Sequence, residues 1–194
     1  MFQLTHTYVA SKVLGNRDYA VVGAILPDYT ILRENGLLDD FEHISINNWL
    51  KVKDRDLAQG ILTHKIVDQI SHNGNKFPDF KFGYRMHAAL HLKPELDAEF
   101  YVAKTYPKTI DMLYNALRNV NTSNIAAKLA PILKTKPEDL MCLLDRYIEL
   151  VYLSTSATKK AAYFVNVGNK EARLELCIRK CQDAVAAWDA RKVI

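Results

Sequence analysis

Cysteine is scarce in this chain. Its three, Cys142, Cys177 and Cys181, are an odd number confined to the second half. That excludes a disulfide framework. The four-residue spacing of Cys177 and Cys181 on a helical pattern reads as two small apolar core residues, not as metal ligands. Long apolar runs are also missing. The longest, positions 19–27 (YAVVGAILP), falls far short of the ~20 residues that a membrane-crossing helix needs. Met1-Phe2-Gln3-Leu4-Thr5-His6 lacks the basic-then-apolar layout of a signal peptide, so a reducing cytoplasm is the expected location. Charge of one sign does not dominate either. The net charge is +4, its densest basic runs (51–55 and 191–192) are interrupted or terminal, and no basic stripe forms. Long nucleic acid is therefore not an expected partner, although a nucleotide substrate stays open. There is no H-E-x-x-H, no phosphate-binding G-x-x-x-x-G-K loop, no G-x-S-x-G and no adjacent His-Asp pair. No histidine lies near a cysteine in sequence, which leaves a cysteine nucleophile unsupported.

Alternating, β-branched segments are absent as well, and neither an internal repeat nor a low-complexity stretch occurs. What remains is helical periodicity along nearly the whole chain. Thr5 or Thr7 is expected to cap a first helix that runs through Val13 and stops at Gly15-Asn16. Asp18 is expected to cap a second, which ends at Pro27-Asp28. The clearest pattern spans 56–72, where Leu57, Ile61, Leu62, Ile66, Val67 and Ile70 form an apolar stripe closed by Asn73-Gly74. A short helix over 84–92 should break at Lys93-Pro94, with Pro94 opening the next at 94–105. Later candidates are 107–120, 124–133, 137–153, 157–166 and 171 to the end. At 194 residues these suit one domain with a sizeable core, an all-α, single-domain bundle of about eight helices.

Histidine is the residue with the most uneven distribution. His6, His43, His64, His72, His87 and His91 all precede position 92, and the last 103 residues have none. Random placement would give this with probability (91/194) to the sixth power, about one per cent, which points to a metal-binding role. Residues four apart on a helix lie one turn apart on the same face. His64, Asp68 and His72 therefore form one stripe on which an imidazole and a carboxylate can chelate one cation, and His87 with His91 can do the same. Imidazole with carboxylate suits zinc, and it also serves manganese or iron. Pro27 ends a buried helix and sets Asp28 at its mouth, where a carboxylate can bind metal and orient or deprotonate an attacking water. Each feature alone has a plain structural reading, since a His–Asp hydrogen bond is a common core device. Their concentration in one part of the chain favours a multi-metal site.

The ordered set Thr5-His6-Thr7, Gly23-x-x-x-Pro27-Asp28, His43 and Gly60-x-x-x-His64-x-x-x-Asp68 resembles the zinc-dependent phospholipase C family, to which the S1/P1-type nucleases are related. The likeness covers residues 5–91. It implies an all-helical fold with two or three zinc ions, ligands within the first 95 residues, and hydrolysis of a small phosphoester or phospholipid. By position, Asp28, His43 and His64 would hold one zinc, and Asp68 would bridge to a second. His72 and His87 would hold a neighbouring ion, with His91 standing where the family has glutamate and Glu95 as an additional ligand. His6 would join Asp68 at the remaining ion. Within that reading a nuclease or nucleotide phosphatase competes with a phospholipase. The alternative from another class is a non-catalytic helical protein with a structural metal or a His–Asp polar core.

Overall fold

The computed structural model describes residues 3–28, 50–71 and 84–192, together with their side chains except those of 84–94 and 192. Among the described residues there are eight α-helices and no strand, as the periodicity predicts. They are α1 (Gln3–Leu14), α2 (Asp18–Ile25), α3 (Arg55–Ser71), α4 (Tyr84–Thr105), α5 (Lys108–Asn119), α6 (Thr122–Leu133), α7 (Pro137–Ala162) and α8 (Glu171–Lys192). None is long and apolar enough to cross a membrane.

The first helix runs through the middle, touching α2, α3, α4, α5, α7 and α8. Every residue from Gln3 to Ala10 is buried, so α1 has no solvent face in this stretch and carries Gln3, Thr5, His6 and Thr7 into the interior. Its start differs from the expectation. Thr5 and Thr7 lie inside the helix, and the first-turn N–H groups of Leu4 and Thr5 donate to the Glu99 carboxylate of α4 at 2.8 and 2.9 Å. A side chain from another helix caps α1, where sequence reasoning looks for a neighbour. The other end is as predicted: Gly15 adopts φ +72° and its N–H donates to Ser11 O.

Helices α2 and α3 approach until their backbones touch. A Cβ on Gly60 would sit 2.1 Å from Ala20 O and 2.8 Å from Ala24 N, and one on Gly23 would sit 2.6 Å from Leu57 O. Only hydrogen fits at either position. Asp18 is the first residue of α2 and does not cap it. The cap position belongs to Arg17, whose guanidinium binds Leu14 O, Asp56 and Gln59. Asp54, the residue before α3, caps it by accepting from Leu57 N–H at 3.0 Å.

Two predicted breaks do not occur. Helix α4 continues through Pro94, which forfeits one backbone hydrogen bond there; burial of Glu95, Ala98, Glu99, Val102 and Ala103 just beyond offsets that loss. Helix α7 likewise continues across 154–156, because its buried stripe of Leu140, Leu144, Tyr147, Val151, Thr155 and Ala162 keeps helical period through the gap. The helix expected over 157–166 is thus the end of α7, which stops at Ala162. Cys177 and Cys181 are buried, as expected of small core residues, and burial pushes their thiols up to about 11 and 12.

Candidate metal centre

Helix α3 supplies His64 and Asp68, one turn apart. The His64 Nδ1 faces Ala24 O at 2.8 Å, which places a proton on Nδ1 and turns Nε2 toward Asp68 and Asp28. That contact exists because Gly60, one turn earlier, lets α3 press onto the Ala20–Ala24 backbone. Helix α1 brings His6 against it, with the two imidazoles stacked at 4.1 Å between centroids and 16° between planes. The chain after α2 brings Asp28. Tyr147 of α7 holds this end in place by donating its hydroxyl to Ile25 O at 2.6 Å.

The Asp68 carboxylate spans the two rings, with Oδ1 3.4 Å from His6 Nε2 and Oδ2 3.1 Å from His64 Nε2. Asp28 Oδ1 is 3.9 Å from His64 Nε2. One ligand atom each from His6, Asp28 and His64 lies within 4.8 Å of the others. Both histidine side chains are 3% exposed, whereas those of Asp28 and Asp68 are 17% and 36% exposed. The imidazoles thus form the floor and the carboxylates the rim. A small pocket beside them is lined by His6, Asp68, Ser71 and Glu95.

The charges are strongly coupled. Burial disfavours the His64 imidazolium, but the Asp68 hydrogen bond, the Asp28 and Asp68 charges and Ala24 O outweigh it and push the ring up to about 9. Burial also works against the Asp68 carboxylate, yet hydrogen bonds from His6 and His64 hold its carboxyl well below the usual carboxylate range. Glu95 is pushed up to about 7, by burial first and then by the Asp68 charge. Two imidazole nitrogens, two carboxylates and a carbonyl-anchored second ring nitrogen are the donor chemistry of a divalent transition metal, so these residues fit one.

The structure therefore brings together His6, Asp28, His64 and Asp68 of the expected ligands. His6 lies 3.4 Å from Asp68 and also comes together with Asp28 and His64. His43 and His72 lie outside the described residues. His87 and His91 lie on α4, and only their backbone is described. Because α4 is unbroken, positions 87, 91, 95 and 99 are successive steps of four along one helix. Glu95, four beyond His91, lines the pocket next to His6 and Asp68. Sequence reasoning missed the capping role of Glu99, because the N–H groups it binds lie 95 and 94 residues away in the chain. No family model, curated protein or solved structure matches the chain.

Proposed function

We propose that the protein is a metal-dependent phosphoester hydrolase of the zinc-dependent phospholipase C kind, with a di- or tri-metal site and the fold of that family. The observation that carries this reading is the convergence of His6, Asp28 and His64 from three separate segments to within 4.8 Å, with Asp68 joining both rings. A bound divalent ion polarises a phosphoryl oxygen and lowers the pKa of a coordinated water. His64 offers Nε2 in an orientation set by Ala24 O. Asp68 holds two ligand positions at a fixed separation. Asp28, more buried than Asp68 and directed by the Pro27 turn, is the group that orients or deprotonates the attacking water. Zinc is the expected ion; manganese and iron accept the same donors.

The test is metal analysis combined with a panel of phosphomonoesters, phosphodiesters, nucleotides and phospholipids. His64→Ala and Asp68→Asn are each expected to lose metal and hydrolysis together, whereas Asp28→Asn is expected to lower kcat by about 10²–10⁴. Full phosphodiesterase activity in His64→Ala or Asp68→Asn overturns the assignment. One observation favours a second reading, a non-catalytic polar core: the two Asp68 oxygens lie 3.4 and 3.1 Å from the Nε2 atoms of His6 and His64. Less than one transition metal per chain in protein purified without chelator would select it.

A further inference from the structure

The end of α7 leaves apolar side chains in water. Among the large apolar residues described, Phe164 is the most exposed at 90%, followed by Tyr163 at 73% and Leu153 at 68%. Tyr163 and Phe164 stand side by side where α7 stops at Ala162. The Phe164 N–H donates to Ala161 O at 2.9 Å, so the backbone is satisfied there while both rings stay bare. Leu153, Ala157 and Lys160 follow the i, i+4, i+7 spacing of one helical face, all three are exposed, and Phe164 continues the series one turn on. This line is roughly 16 Å long at about 1.5 Å per residue. Single apolar residues on a surface are ordinary, but such a line beside an aromatic pair marks an interaction surface.

Charge is divided along the same helix. Its first half, 137–149, holds Glu138, Asp139, Asp145 and Glu149 against one cation, Arg146, whereas 150–170 holds Lys159, Lys160 and Lys170 and no acid. Lys170 pairs with Asp97 at 3.6 Å. Lys159 and Lys160 are exposed and form no ion pair among the described residues. They lie one turn before Tyr163 and Phe164 respectively, so each ammonium shares a face with a ring. The next acid, Glu171, is engaged by the Tyr101 and Tyr106 hydroxyls. Lysines also complement the negative end of a helix dipole, but the dipole gives no reason for bare rings beside them.

We propose that the end of α7 docks on an anionic lipid bilayer, with Phe164, Tyr163 and Leu153 entering the boundary between headgroups and acyl chains and Lys159 and Lys160 meeting the lipid charges. Unpaired lysines are complementary to a negative surface potential, and the acidic first half of α7 is kept away from it. Protruding rings suit a bilayer better than a protein partner: a protein must offer a matching pocket, whereas a fluid interface closes around them. Long lysine stems keep their ammonium groups at headgroup level while the rings go deeper, and tyrosine favours that level. The surface shares no residue with the metal centre and does not rest on the hydrolase reading.

The probe is a vesicle of equal parts phosphatidylserine and phosphatidylcholine, compared with pure phosphatidylcholine by co-sedimentation of the full chain in the presence of chelator. Binding to the anionic vesicles is expected, with little to the neutral ones and less at high salt. Lys159→Gln and Lys160→Gln should each weaken it about three- to fivefold, and Phe164→Ala about tenfold, all with unchanged melting temperature because these side chains are exposed. The fluorescence of Tyr163→Trp should shift to the blue on adding anionic vesicles, as the ring leaves water. The proposal is overturned if anionic and neutral vesicles bind alike, if Phe164→Ala stays within twofold of the parent, or if Tyr163→Trp shows no shift. It is also overturned if vesicles bind only without chelator, which would place the lipid at the metal centre. A concentration-dependent dimer abolished by Phe164→Ala would overturn it too, by giving the surface to a second copy of the chain.

Discussion

Glu99 is 1% exposed, yet its carboxyl accepts from the Leu4 and Thr5 N–H groups and from the Thr5 hydroxyl. Burial raises its pKa, the three donors lower it, and the balance lies at about 7. The native state therefore holds a proton that the unfolded chain has released, so stability falls as pH rises from about 4.5 to about 7. Glu95 titrates in the same window and in the same direction. The urea midpoint of metal-free protein is expected to decline from pH 5 to pH 7.5, and Glu99→Gln to make that decline shallower. An unchanged slope in the variant would show that Glu99 carries no such coupling. At this scale the pair His64 and Asp68 was legible because both residues sit on one helix, a turn apart. The cap of α1 was not, since its donors and acceptor are separated by 95 and 94 residues.

Among the elements, the α2–α3 contact has the least tolerance. Gly60→Ala would drive a methyl group into the backbone of Ala20 and Ala24, where no flexible side chain can yield. The cost is expected at about 1–3 kcal/mol, read from chemical denaturation. The same shift would move Ala24 O away from His64 Nδ1, so affinity for the proposed metal should fall with stability. A Gly60→Ala protein as stable as the parent would show that the helices can separate freely. The glycine was visible in sequence as the first member of Gly60-x-x-x-His64-x-x-x-Asp68, but its reason lies in the partner helix. Conversely, Lys93-Pro94 and Ser154-Thr155-Ser156 are local break signals that packing overrides. Thr155 is fully buried, and Ser154 donates its hydroxyl to Val151 O at 3.2 Å, which satisfies it without interrupting α7.

In the molecule as a whole, the histidine-free half supports the histidine-rich half. Helix α8 packs along α3, where Asp189 accepts from Arg55 at 2.9 Å and from Gln59 at 2.9 and 3.0 Å, and Arg173 donates to Ser71 O at 3.2 Å. Cys181 lies 3.7 Å from Thr63 O, next to His64. The buried apolar core is shared across both halves, from Leu4 to Cys181. Leu174→Ala, in a residue 1% exposed, is expected to cost about 2–5 kcal/mol. Helical signal and, in protein loaded with the proposed metal, the metal should then be lost in one coincident denaturation transition at a lower midpoint. Metal release well before loss of helix would mean that α8 and the ligand-bearing helices are not one cooperative unit.

The sequence by itself determined the helical class, most element positions and the His/Asp chemistry of the candidate site, because helical periodicity and four-residue spacing are properties of neighbours along the chain. Only the tertiary structure decided that His6 stacks on His64, that Glu99 caps α1 and that α4 passes through Pro94. Each of these depends on burial and close approach between helices distant in sequence, where the cost of an unpaired polar group or a displaced backbone outweighs any local preference.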